Sequence, residues 1–216
     1  MAEISAELVK NLRAQTGAGM MDCKSALTEA NGDMHLAVEI LRKKGLKDIG
    51  KRAGKTAAEG LVGVYVHPGD QIVSVVELNC ETDFVARGEE FKAVARDIAM
   101  HVAAMRPLYL DSADVPAAVL EKEKEILLEQ LDPAQRSKAD KILPGKVEKF
   151  YADNCLLRQI FVKDDSGQRT VADVVSDLSI KCGEKVQIRR FVRFEVGEGI
   201  EKPLQDLAAD VAALTQ

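Results

Sequence analysis

An aspartate followed directly by a phenylalanine, Asp83-Phe84, sits in the stretch Glu77-Leu78-Asn79-Cys80-Glu81-Thr82-Asp83-Phe84-Val85-Ala86-Arg87. The carboxylate can perturb a bound cation or the groups that ligate it. The phenyl ring is a rigid apolar wedge able to fill a pocket in a partner. The same two side chains also have a plainer reading, in which Asp83 caps a coming helix and Phe84 caps the local core. A second candidate for chemistry, Gly54-Lys55-Thr56, looks like the end of a phosphate-binding loop, which requires Gly-x-x-x-x-Gly-Lys-Ser/Thr. The position five before Gly54 is Ile49, so the first glycine is missing. Gly45 to Gly50 is followed by Lys51-Arg52 and lacks the hydroxyl that would ligate magnesium. Neither run follows a predicted strand, the context that aims backbone amides at phosphates, so a nucleotide-hydrolysing site is excluded. Cys23, Cys80, Cys155 and Cys182 are far apart and form no Cys-x-x-Cys pair, and His35, His67 and His101 are equally scattered. No metal site and no cofactor are expected.

The elements that must position Asp83-Phe84 follow from the flanking pattern. Ile72-Val73-Ser74-Val75-Val76 reads as a strand and a helical pattern begins near Gly88, so the pair lies at a strand-to-helix junction. Leu61 to Val66 and Gln71 to Asn79 read as a hairpin turned at His67-Pro68-Gly69-Asp70. The helix after the junction carries Phe91, Val94, Ala95, Ile98 and Val102 on one stripe and ends before Pro107. Asp114 and Pro116 start another, whose run Glu121-Lys122-Glu123-Lys124-Glu125 is a solvated face. Asp132-Pro133 and Pro144-Gly145 punctuate two shorter helical pieces, the second carrying Val147, Phe150 and Tyr151. After a polar turn from Lys163 to Thr170, a helix carries Val171, Val174, Val175 and Leu178. Ile188 to Val196 alternates as a half-buried strand, with Ile188, Val192, Phe194 and Val196 on one face, interrupted by Arg190. Arg189, Phe191, Arg193 and Glu195 lie on the other. One face is expected to pack on helices and the other, placed on Phe191, to meet a second copy. Lys202 to Leu214 reads as a last amphipathic helix.

Upstream, three capped helices are predicted in residues 1–45. Ser5 caps the first (Leu8, Val9, Leu12), with Gly17 beyond its end. Asp22 caps the second (Ala26, Leu27, Ala30), and Asp33 the third (Leu36, Ala37, Ile40, Leu41), which stops at Gly45. Between the first two, Met20 and Met21 follow two glycines and offer adaptable apolar area for a partner, or fill core gaps. Lys24 adds a charged contact or is simply solvated. Residues 46–60, with Lys47, Lys51, Arg52 and Lys55, read as a basic linker. The fold class is α+β, a three-helix bundle followed by a small antiparallel sheet packed with helices. The division is 1–45 bundle, 46–60 linker, 61–201 core and 202–216 terminal helix.

At 216 residues the chain can bury a sizeable core, and its net charge of −5 gives no global attraction to nucleic acid. No apolar run approaches the roughly 18 residues that cross a membrane. The absence of a signal-peptide pattern favours reduced thiols in a cytoplasmic protein. Neither nucleic acid nor membrane is expected as a direct partner.

Three motifs are similar to those of the translation elongation factor Ts family. They are Thr16-Gly17-Ala18-Gly19-Met20-Met21-Asp22-Cys23-Lys24-Ser25-Ala26-Leu27, Thr82-Asp83-Phe84-Val85-Ala86-Arg87 and Val192-Arg193-Phe194-Glu195-Val196-Gly197-Glu198-Gly199. They occur in family order and span nearly the whole chain. The resemblance implies a bundle like the ubiquitin-associated domain and an exchange factor, not an enzyme, that releases GDP from elongation factor Tu. It implies that Thr82, Asp83, Phe84 and Val85 disturb the magnesium site of that GTPase, and that the region of Met20, Met21 and Lys24 docks on it. Longer members duplicate the core and insert a coiled coil, and this chain reads as too short for either. A homodimer or a two-plus-two complex is the corresponding expectation. A helical-bundle adaptor or chaperone-like binding module is the alternative, but it would have no use for Thr82 to Arg87.

Overall fold

The computed structural model describes residues 4–16, 18–52 and 54–200. The predicted helix Lys202 to Leu214 and the stop at Gly17 lie outside the described residues. Three N-terminal helices, α1 (Ala6–Thr16), α2 (Met20–Glu29) and α3 (Met34–Arg52), pack around Val9, Leu12, Cys23, Leu27, Ala37 and Leu41. Ser5 and Asp33 cap as predicted, accepting from Leu8 N at 3.2 Å and Leu36 N at 3.0 Å. Asp22 does not cap: α2 starts three residues earlier than such a cap would give, behind Gly19, and Asp22 pairs instead with Lys44. Nor does Gly45 stop α3, which runs on to Arg52 through much of the predicted linker. Glycine serves close approach there, because an added Cβ would lie 2.7 Å from the Ile180 side chain. An Arg42–Asp173 ion pair at 3.0 Å also ties α3 to the helix that carries Ile180, residues Val171–Cys182.

The second core is α+β. Strands β1 (Glu59–Val66), β2 (Ile72–Cys80) and β3 (Gln187–Glu195) form one antiparallel sheet in the order β1-β2-β3. Its inner face packs on α5 (Glu89–Met105), and α9 (Val171–Cys182) joins the same core, through Val76, Leu78, Phe91, Ile98, Val175 and Ile188. Thr170 starts α9 with a capping box to Asp173, and Gly183 ends it at φ 70°, a left-handed turn that suits glycine.

A β-bulge corrects the predicted faces of β3. Leu78 pairs with Ile188 while Glu77 pairs with Arg190, leaving Arg189 as the extra residue. Because side chains alternate with period two, one extra residue exchanges the faces of everything beyond it. Ile188 is therefore inward, but Val192, Phe194 and Val196 point outward, and Phe191 packs against the core. Arg193 takes an inner position with 7 % of its side chain exposed, donating to Ala103 O and pairing with Glu195 at 2.6 Å.

Between α5 and α9 the chain forms α6 (Ala117–Glu129), the single turn α7 (Pro133–Arg136) and α8 (Ala139–Asn154). α6 and α8 pack on each other as a helical hairpin. Pro144 lies inside α8 instead of breaking it.

Candidate functional site

The end of β2 turns the chain into the site. Cys80 is fully buried, its thiol pushed up to about 11 by burial, and it donates to Thr82 O at 3.1 Å. Thr82 is in extended conformation and caps the one-turn helix α4 (Asp83–Ala86), accepting from Val85 N at 3.4 Å. The cap is thus Thr82 and not Asp83. Ala86 is buried and Val85 packs against the core, so the lower side of α4 is anchored. The upper side is not. Phe84 is 84 % exposed, which overturns the reading of this ring as a core cap. Asp83 pairs with Arg87 at 2.8 Å, both side chains being exposed. An exposed i,i+4 pair contributes at most about 0.5 kcal/mol, so a partner can readily take the carboxylate from Arg87. Beside Phe84 runs a groove of about 520 Å³ lined by Val85, Gly88, Phe91, Leu178 and Cys182.

Two carboxylates tie this turn to the end of α9, a connection that sequence reasoning missed. Glu184 accepts from Glu81 N and Thr82 N at 3.0 Å each, and from Thr82 Oγ1 at 2.6 Å. In return, Glu81 accepts from Lys185 N at 2.7 Å and from Lys55 Nζ at 2.6 Å. The Lys55 ammonium, then the Lys185 amide, hold the Glu81 carboxyl below its ordinary range.

Met20, Met21 and Lys24 lie on the exposed side of α2, opposite Cys23, Ala26 and Leu27. Met21 is 76 % exposed and Met20 54 %, so neither is core filler. Among the described residues, no hydrogen bond or ion pair connects these three to Thr82–Val85. The C-terminal end of α9 borders the loop before α2 and the Phe84 turn: Lys181 and Cys182 line a cleft against Ala18 and Gly19, and also the groove beside Phe84, while Met21 and Lys24 face away with Ser25, Thr28 and Glu29.

Among the described residues there is no cluster of His, Cys, Asp or Glu able to hold a metal ion, and no helix long and apolar enough to cross a membrane. The arrangement can present a rigid ring and a carboxylate to another molecule, but it assembles no nucleophile with a base.

Comparison with known proteins shows the family. The family model described as elongation factor TS matches residues 48–198. The elongation factor Ts of Desulforamulus reducens is 53 % identical over 215 residues, covering 99 % of this chain and 98 % of the relative. That of Moorella thermoacetica is 57 % identical over 199 residues, covering 91 % and 97 %. That of Anaeromyxobacter dehalogenans is 52 % identical over 214 residues, covering 98 % and 97 %. The chain belongs to the elongation factor Ts family and so to the proteins of translation elongation.

Proposed function

We propose that this protein is the guanine-nucleotide exchange factor of elongation factor Tu, acting through Asp83 and Phe84. The observation that carries the reading is an exposed phenylalanine on a capped, anchored turn, inside a stretch that resembles the family motif. An exposed ring held this way contributes little to its own fold, whereas burial in a partner supplies roughly 1.5–3 kcal/mol. At about 1.4 kcal/mol per decade, that is one to two decades of nucleotide affinity. Asp83 supplies a second effect by disturbing the surroundings of the magnesium that bridges the nucleotide phosphates. Met20, Met21 and Lys24 recruit the GTPase, and Thr82 and Val85 hold the wedge. No bond is made or broken by this chain, so it is not an enzyme. Linkage makes the effect reciprocal: if the chain weakens GDP binding, GDP weakens its binding by the same factor. The test is release of labelled GDP from purified elongation factor Tu, with and without the chain. Release at the intrinsic rate would refute the reading.

We further propose that the outer face of the sheet pairs with a second copy, giving a homodimer or a two-plus-two complex. Here cross-strand rows Val64–Val75–Val192 and Val66–Val73–Phe194 lie side by side. Val62, Val64, Val66, Val192, Phe194 and Val196 are exposed, an apolar patch of the kind that marks an interaction surface. The exposure of Phe194 and the inward packing of Phe191 favour Phe194 as the contact residue. Light scattering at micromolar concentration tests it. A doubled mass reduced to monomer by Phe194→Asp is expected, and a monomer at every concentration would contradict it.

A further inference from the structure

We propose that Glu184 is a positioning residue for nucleotide exchange: its carboxylate holds Glu81 and Thr82 so that α4 presents Asp83 and Phe84 in a single orientation. The inference rests on the exchange reading above and deepens it.

A helix of one turn cannot hold its own orientation, because nucleation fixes several dihedrals for a single hydrogen bond. α4 has four residues, so its direction must be set from outside. Below, Val85 and Ala86 fix its depth in the core. Its entry angle depends on residues 81 and 82, which are held by a carboxylate more than 100 positions further on. That single carboxylate takes three donors, two backbone amides and one hydroxyl, so it defines both the path of the chain and the rotamer of the capping threonine.

Glu184 is itself fixed. The left-handed turn at Gly183, whose N–H donates to Ser179 O at 3.0 Å, directs the chain back toward β2. The buried Ser179 hydroxyl then donates to the backbone carbonyl of Glu184. The reciprocal bond from Lys185 N to Glu81 closes the bridge from the other side. Packing does not demand this device: Thr82 is exposed, and water would satisfy the same amides if the carboxylate were removed. What removal sacrifices is a defined direction for Phe84, and a group misplaced by about 1 Å can lose up to a hundredfold in rate.

The experiment is stopped-flow release of labelled GDP from elongation factor Tu over a range of concentrations of the full chain, with the thermal midpoint of each variant measured alongside. Glu184→Ala is expected to lower the maximal release rate about tenfold. Its half-saturating concentration should stay within about twofold of the unsubstituted chain, since docking surfaces are untouched. Glu184→Gln should restore most of the rate. Its amide oxygen can accept from Glu81 N and Thr82 N while its NH2 donates to Thr82 Oγ1. A maximal rate unchanged in Glu184→Ala would overturn the proposal, as would Glu184→Gln being as slow as Glu184→Ala or a rate loss that merely follows loss of thermal stability. If the unsubstituted chain itself leaves GDP release at the intrinsic rate, the exchange reading falls and takes this proposal with it. Normal release by the unsubstituted chain with no effect of Glu184→Ala removes the positioning role alone.

Discussion

The Asp83-Phe84 turn and the Met20-Met21 end of α2 both expose large apolar side chains, but they are held in opposite ways. The turn is capped by Thr82, anchored by Val85 and Ala86, and bridged to α9 by two carboxylates. The start of α2 has no side-chain cap on Gly19, and its two methionines are unbranched chains lying on solvent. A ring with two torsions on a fixed turn delivers its volume to one place. A thioether with three rotatable bonds adapts to whatever surface it meets. On the proposed exchange reading the two do different work: the fixed turn perturbs the nucleotide site and the adaptable face supplies affinity.

The largest expected effect separates two phenylalanines only seven positions apart. Phe91, 2 % exposed in the core, should cost about 3–5 kcal/mol of stability as Phe91→Ala. Phe84→Ala should cost less than about 1 kcal/mol. Chemical denaturation of both variants checks this, and similar losses would place Phe84 in the fold instead of at an interface. On the adaptable side, Met20→Ala with Met21→Ala should weaken binding to elongation factor Tu roughly tenfold. The maximal release rate should be unchanged. A lower maximal rate at unchanged affinity in a titration would dissolve the division of labour.

Asp83 sharpens the same comparison from within the turn. If it acts on magnesium, Asp83→Ala should slow GDP release several-fold with magnesium present and hardly at all with a chelator. An equal defect in both conditions would remove the magnesium argument. The smallest effect concerns the scaffold. His101 is buried, with Nδ1 accepting from Val162 N at 3.1 Å and Nε2 facing Gln159 Oε1 at 3.0 Å. Gln159 donates its NH2 to Met105 O and Asp153 O, so its oxygen must accept and Nε2 must carry the proton. The ring is therefore neutral, and burial lowers its pKa below the ordinary 6.5. Because the unfolded chain binds this proton more readily, stability is full above about pH 6.5 and declines as pH falls below it. The thermal midpoint should drop between pH 7 and 5, with a shallower drop in His101→Gln. Identical slopes would show that other groups govern the acid limb.

Much of this architecture was legible because it is written in short-range patterns. Alternation and Pro68-Gly69 marked the hairpin, and a 3.6-residue stripe marked α5. The motif at Thr82 to Arg87 stood out by resemblance alone, since nothing in its spacing distinguished a wedge from a core cap. The faces of β3 were misplaced beyond Arg189 because a bulge depends on the partner strand, and periodicity cannot register it. Gly45 looked like a helix stop because a glycine's demand for close approach comes from Ile180, a tertiary neighbour. Glu184 carried no signal at all. A lone glutamate after a helix reads as a solvated charge until the turn brings it to Thr82.

On the proposed reading, an exposed, rigidly presented Phe84 drives GDP release. The most direct test of that reading is stopped-flow measurement of labelled GDP leaving elongation factor Tu at saturating concentrations of the unsubstituted chain and of Phe84→Ala. A maximal rate about 10- to 100-fold lower is expected for the variant, with less than about 1 kcal/mol of stability lost. Equal maximal rates, or a loss accompanied by unfolding, would contradict it.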